Sequence, residues 1–195
     1  MQARSSAPEH GCRWGGVARG VDELRAQLGR TSAGPRPWAA GARSERATGV
    51  LLEALEPRGF AVVQLDDHLV VGPTGVWLVG SRDFPYPLSV GHRGGLWTGW
   101  YPVSDVLDEA HRGAAAVARV LETPVEPVVA VHSATVPGRH LVRNGVHVVD
   151  ATRALLPLLR DRPATLDADE VARLTTLAPG AYGATNGRRR AGASG

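Results

Sequence analysis

Apolar and polar residues alternate with a clear period from about residue 42 onward. The segment 42–57 carries apolar residues at the i, i+3, i+4, i+7, i+8 spacing of one helix face. They are Ala47, Val50, Leu51, Ala54 and Leu55. Ser44 is a predicted N-cap, and Pro57 ends the pattern. The spacing therefore predicts an amphipathic helix at the start of the folded region.

Three short segments rich in β-branched residues follow this helix. They cover 60–65, 68–72 and 75–81, and each is bounded by turn residues. The "GPTG" between the second and third is typical of a tight hairpin turn. Segments 87–90 and 96–100 flank a glycine-rich loop and predict a peripheral hairpin. The pattern indicates a meander of strands, with a smaller hairpin beside it.

Helical and strand patterns alternate in the second half of the chain. A helix is predicted from about Ser104 to Leu121, followed by a buried strand within "PVEPVVAVHS" and another over 145–150. Two further helices are predicted over 151–160 and 167–178. This order favours an α/β fold: a single domain with a central mixed β-sheet flanked by helices.

The two ends of the chain differ in composition from its middle. Residues 1–40 are rich in Gly, Ala, Arg, Ser and Pro and predict a disordered leader, with a possible short helix over 21–28. Residues 180–195 predict a disordered basic tail. The folded domain is accordingly expected over 41–179.

Composition narrows the possible functions. The chain has 195 residues, a net charge of +3 and a single cysteine, Cys12, which excludes an internal disulfide. All 22 basic residues are arginine, so catalysis by lysine is excluded. No apolar run is long enough to span a membrane, and the first residues lack a signal-peptide core. We expect a cytoplasmic protein that makes no membrane contact.

Candidate chemistry concentrates around the stretch "DDHLVVGPTGVWLVGSRDF". Metal-dependent phosphodiesterases need converging carboxylates and a nearby cation, and residues i and i+2 of a strand share a face. Glu45 lies in the first turn of the first predicted helix, and Asp67 precedes the second strand. Gly80 and Arg82 occupy the acid-x-cation positions of the third strand.

These segments resemble the NERD (nuclease-related) domain found in many actinobacterial proteins. The similarity lies in "GARSERATGVLLEAL", "DDHLVVGPTGVWLVGSR" and "PVEPVVAVHS", and runs from about Gly41 to Pro179. It implies the fold of restriction-endonuclease-like enzymes, whose motif is Asp followed by Asp/Glu-x-Lys. It also implies hydrolysis of DNA with Mg²⁺ or Mn²⁺ as the cofactor.

The resemblance assigns a role to four positions of this chain. The family's helix glutamate falls on Glu45, and its first strand aspartate falls on Asp67, with His68 following. Its second acid falls on Gly80 and its lysine on Arg82. Gly80 offers no ligand and Arg82 keeps its proton, so the chain departs from the family at both.

Three functions follow from this departure. The leading prediction is a nuclease-related protein associated with nucleic acid, whose cleavage activity is lost or impaired. The first alternative is an active Mg²⁺- or Mn²⁺-dependent DNA nuclease in which Asp83 or Asp66 substitutes as a ligand. That substitution requires the third strand to end at Ser81, because alternation otherwise turns Asp83 to the opposite face.

The second alternative is a non-catalytic protein-interaction module. In it Arg82 pairs with Asp67 or Glu45 and closes the old site, which is the pairing we favour. The aromatic residues Trp97, Trp100 and Tyr101 leave two interpretations open. They are either a stacking platform for bases or a satellite core that covers the peripheral hairpin.

Overall fold

The computed structural model of the chain describes residues 41–65, 67–92 and 94–191, the last twelve by their backbone alone. The fold is mixed α/β, with a six-stranded mixed sheet flanked by helices, as predicted. The leader 1–40, with its possible helix over 21–28, and Asp66 lie outside the described residues. No helix among the described residues is long and apolar enough to cross a bilayer.

The helices and strands follow the predicted order, except that the structure adds the short strands Tyr101–Pro102 and His140–Arg143. The helices are α1 Ala42–Glu53, α2 Ser104–Leu121, α3 Leu155–Arg160 and α4 Ala168–Ala191. The strands are β1 Ala61–Gln64, β2 His68–Gly72, β3 Gly75–Asp83, β4 Leu88–Val90, β5 Leu96–Thr98, β6 Tyr101–Pro102, β7 Glu126–His132, β8 His140–Arg143 and β9 Val146–Asp150.

The central sheet has the strand order β1-β2-β3-β7-β9-β8. Strands β3, β7 and β9 are parallel, whereas the outer pairs are antiparallel. Parallel neighbours end on the same side, so Asp83, His132 and Asp150 meet at one edge of the sheet. We call this the carboxyl edge. Strands β4, β5 and β6 form a separate small sheet between β3 and α2.

Both faces of the central sheet are covered by helices. Trp77 and Val79 of β3 pack with apolar residues of α1 and α3, and we call this side the α1 face. Val76 and Leu78 pack with residues of α2 and α4, on the α2 face. Because the side chains of a strand alternate, the parity of a β3 residue decides which face it reaches.

The buried side of α1 differs from the predicted stripe. Ser44, Thr48 and Leu52 are buried, whereas Val50, predicted to be in the core, is 61% exposed. Ser44 is not the N-cap either: the helix starts at Ala42, and the Ser44 hydroxyl donates to the carbonyl of Gly41. The prediction was wrong because the sheet beneath α1 offers polar partners, described below, which let polar residues be buried.

Two other helix boundaries differ from the predictions. The helix predicted over 151–160 begins at Leu155, because the Asp150 carboxylate accepts bonds from the backbone of Thr152 and Arg153 and holds a turn there. The helix predicted over 167–178 continues to Ala191 through Pro179. Proline removes one backbone bond of a helix but does not always end it.

The aromatic residues of the small sheet lie on its outside. Trp100 is 91% exposed, and Trp97 and Tyr101 are also exposed. The satellite core consists instead of Leu88, Leu96 and their neighbours. The interpretation of these aromatic residues as core is therefore wrong.

Candidate functional site

Asp67, Gly80 and Arg82 converge on the α2 face of the central sheet. The β2–β3 hairpin pairs His68 with Val79, which brings the preceding Asp67 beside Gly80. A Cβ atom at Gly80 would lie 3.0 Å from Asp67 Oδ1 and 3.6 Å from Arg82 Nη1. Three of the positions that the resemblance assigns therefore form one cluster, in which position 80 contributes only backbone.

Arg82 occupies the centre of this cluster. Its Nη1 lies 4.0 Å from Asp67 Oδ1, and its Nη2 donates to Glu109 Oε2 at 3.1 Å. Nη1 also donates to the carbonyl oxygen of Ser81 at 2.8 Å. The residue is only 8% exposed. A buried guanidinium is stable only when carboxylates and carbonyls satisfy it, and this arrangement provides both.

Sequence reasoning did not identify Glu109, which lies in the second turn of α2. Glu109 follows buried Val106 by three residues and precedes Gly113 by four. Gly113 packs against the sheet, because a Cβ added to it would lie 3.0 Å from the Leu78 side chain on the α2 face. Residues at these spacings share one side of a helix. The apolar stripe of α2 could therefore have predicted that Glu109 lies at the edge of the helix–sheet interface.

The residues of this cluster do not suit a divalent metal. Mg²⁺ and Mn²⁺ require converging oxygen ligands, but Gly80 has no side-chain oxygen, and the Arg82 guanidinium already lies between Asp67 and Glu109. Among the described residues, no group of three or more His, Cys, Asp or Glu side chains is arranged to hold a metal ion. The metal chemistry implied by the resemblance therefore has no complete ligand set in this cluster.

Asp83 lies on the opposite face from Asp67. Strand β3 does not end at Ser81, as the substitution by Asp83 required, but continues to Asp83, so alternation turns this side chain to the α1 face. There Asp83 Oδ1 accepts a hydrogen bond from Ser133 Oγ at 3.2 Å. The interpretation of Asp83 as a substitute ligand beside Asp67 is therefore wrong.

Glu45 and His68 belong to the α1 face as well. Glu45 is half-buried in the first turn of α1, the helix that packs on the side of the sheet away from Glu109. His68 is buried, and its Nε2 would lie 3.1 Å from a Cβ on Gly49 of α1. Of the four positions that the resemblance assigns, the structure groups Asp67, Gly80 and Arg82, and places Glu45 on a helix of the other face.

No family model, no curated protein and no solved structure matches this chain. The resemblance to the NERD domain thus stays a prediction from the quoted sequence segments.

A chain of hydrogen bonds joins α1 to the sheet near the carboxyl edge. Ser81 Oγ donates to Thr48 Oγ1 at 2.7 Å, and Thr48 Oγ1 lies 2.7 Å from His132 Nε2. The Thr48 hydroxyl therefore bridges Ser81 and the His132 ring, because a hydroxyl can donate one hydrogen bond and accept two. These bonds are the polar partners that allow Thr48 to be fully buried in α1.

His132 remains neutral at neutral pH. Burial lowers its pKa below the ordinary value of 6.5, although the nearby carboxylates of Asp83 and Asp150 oppose the shift. The pKa of His140 is also lowered, by burial and then by His147 and Arg162. In both cases the folded state binds a proton less readily than the unfolded chain does.

This linkage predicts that the free energy of unfolding falls as the pH drops below about 6.5. The stabilisation is fully present above the unfolded pKa and is lost as the pH falls through the lower folded pKa. Urea unfolding of the protein between about pH 7.5 and 5 measures it. His132→Gln should show a shallower decline, and His111→Gln, an exposed residue of α2, should keep the original one. An unchanged decline in His132→Gln would contradict the assignment.

A second polar cluster lies at the opposite edge of the sheet. His140 Nε2 and His147 Nδ1 are 2.9 Å apart, and His147 Nε2 is 3.0 Å from Glu126 Oε2. Glu126 Oε1 accepts from Arg162 at 2.6 Å, and the Arg162 guanidinium lies 4.7 Å from the ring centroid of Trp77. Both Glu126 oxygens are engaged, so the cluster ties β7, β9 and the segment after α3 together.

Proposed function

We propose that this chain is a nuclease-related module that associates with nucleic acid and does not cleave it efficiently. The observation that carries the proposal is the position of Arg82. Its buried guanidinium lies between Asp67 and Glu109, beside a glycine where a nuclease has an acid.

The absence of efficient cleavage follows from the chemistry of the reaction. Hydrolysis of a phosphodiester by a metal requires an ion that activates water and stabilises the charge on the phosphorus oxygens. A guanidinium held by two carboxylates takes the position of that ion and does not give up its proton near neutral pH. Arg82 therefore serves as a structural cation, not as a replacement for the catalytic lysine.

Association with nucleic acid is supported by the sequence resemblance and by charge. The net charge is +3. The chain has 22 arginines and no lysine. Guanidinium groups bind phosphate in two-pronged geometry. Several arginines, including Arg43, Arg46, Arg112 and Arg153, are exposed on the described surface.

Binding to phosphates predicts a strong dependence on salt. The affinity for labelled single- or double-stranded DNA should fall at least tenfold between about 50 and 200 mM salt, because bound cations are released from the phosphates. Fluorescence anisotropy titrations measure this change. Incubation of the same DNA with Mg²⁺ or Mn²⁺ should leave it intact.

Two results would favour the alternative functions, an active nuclease or a protein-interaction module. Cleavage that disappears in Asp67→Ala would identify an active nuclease. Weak DNA binding that does not respond to salt would favour the protein-interaction module. The protein-interaction module is favoured by a set of exposed aromatic residues, since such side chains are enriched at protein interfaces. They are Tyr86, Trp97, Trp100 and Tyr101.

A further inference from the structure

A shallow groove of about 400 Å³ runs along the outer side of α1 and reaches the carboxyl edge. Its floor is apolar and consists of Ala47, Val50 and Leu51. Its far end is polar, with His132 and Thr152. This volume lies within the range of small-molecule sites in proteins. In sheets with parallel strands, ligands commonly bind beyond the carboxyl ends of those strands.

Two arginines border this groove on one side of α1. Arg43 and Arg46 are spaced i, i+3, so they are neighbours on the helix surface, and both are exposed. Among the residues that the structure describes, neither forms an ion pair. None of the residues lining the groove is acidic. The groove therefore combines a positive rim with an apolar floor.

The polar end of the groove offers hydrogen-bonding groups to a ligand. Thr152 Oγ1 donates to Asp150 Oδ1 at 2.8 Å, so its lone pairs remain available as acceptors. His132 is held by Thr48 through Nε2, which leaves Nδ1 for other contacts. A ligand with a flat apolar part, hydrogen-bonding edges and an anionic group would satisfy all three regions of the groove.

We propose that this groove binds a nucleotide, with its phosphate on Arg43 and Arg46 and its base on Val50 and Leu51. A free nucleoside monophosphate and the 5′-phosphorylated end of a nucleic-acid strand share this chemistry. The proposal does not rest on the nucleic-acid association above, because a free nucleotide tests it separately.

Calorimetric titration of the full-length protein with AMP, adenosine and inorganic phosphate tests the proposal. AMP should bind at one site per chain, and more tightly than either of its two parts. Arg43→Ala and Arg46→Ala should each weaken AMP binding about tenfold, the effect of one lost charge-assisted hydrogen bond. Val50→Asp should weaken it as well, because a carboxylate would replace the apolar contact and repel the phosphate.

Arg112→Ala is the matched control, because it removes the same charge from an exposed position of α2. It should leave AMP binding unchanged. An equal loss in this variant, or no saturable AMP binding by the unaltered protein, would overturn the proposal. Inorganic phosphate binding as tightly as AMP would also overturn it, by showing a site for the anion alone.

A last comparison separates the two sources of the nucleotide. A short oligothymidylate with a 5′-phosphate should bind more tightly than the same strand without one if the groove accepts strand ends. Equal binding of the two strands, together with tight AMP binding that depends on Arg46, would assign the groove to free nucleotides. Loss of salt-dependent DNA binding alone would leave the AMP result standing, so the two proposals fail separately.

Discussion

Arg82→Ala should lower the free energy of unfolding by about 2–3 kcal/mol. The substitution removes a buried side chain and leaves Asp67 and Glu109 without the cation between them. Breaking a fully buried ion pair by removing one partner costs about 3–5 kcal/mol, but these carboxylates are 21% and 39% exposed and water partly screens them. The expected loss is therefore below that range. Urea unfolding at neutral pH measures it.

Two other variants serve as references for this change in stability. Arg173→Ala breaks an exposed i, i+3 pair with Glu170 on α4 and should leave the unfolding midpoint unchanged. Arg82→Lys keeps the charge but loses the planar fork of the guanidinium. Its loss of unfolding free energy should therefore be larger than that of Arg173→Ala and smaller than that of Arg82→Ala. An Arg82→Ala protein as stable as the original would mean that the guanidinium makes no net contribution to the fold.

The double substitution Gly80→Asp with Arg82→Lys should create a site that binds Mn²⁺ more tightly than the unaltered protein does. Position 80 lies within β3, and its Cβ direction leads to Asp67 Oδ1 at 3.0 Å. A carboxylate there would approach Asp67 closely and raise the electrostatic cost of the metal-free state, which a divalent ion would relieve. Lysine cannot reproduce the guanidinium fork, so the contact between position 82 and Glu109 would weaken.

Calorimetry with Mn²⁺, or the loss of the free Mn²⁺ signal in electron paramagnetic resonance, measures this gain of binding. Mn²⁺ should also raise the unfolding midpoint of the double variant, because a ligand that binds only the folded state stabilises it. Gly80→Ala with Arg82→Lys is the matched control, since it fills the same position without a carboxylate. A folded double variant that binds no Mn²⁺ would count against the correspondence of these positions with the nuclease motif.

Local patterns were sufficient to predict much of the fold. Helix α2 and strand β2 have the predicted bounds, because an apolar stripe defines one and a Gly-Pro turn ends the other. The proximity of Asp67, Gly80 and Arg82 also follows from a local feature, the register of a single hairpin. Such features depend on residues close together in the chain, so a single sequence contains them.

Features that depend on distant partners were not predicted. The buried side of α1 holds Thr48 because Ser81 and His132 lie beneath it, and neither is near it in sequence. Glu109 became the partner of Arg82 only through the packing of α2 on the sheet. Strand β8, half-exposed at the sheet edge, lacks the apolar run by which the other strands were recognised. In each case tertiary contacts decided the outcome.

The place of β7 in the sheet has a consequence for folding kinetics. Strands β1 to β3 pair with chain neighbours, and so do β8 and β9, whereas β7 pairs with β3 across the whole small sheet and α2. Pairings between distant segments form slowly, because the entropy of closing the loop must be lost first. The closure of the segment between β3 and β7 is therefore expected to limit the folding rate of the central sheet.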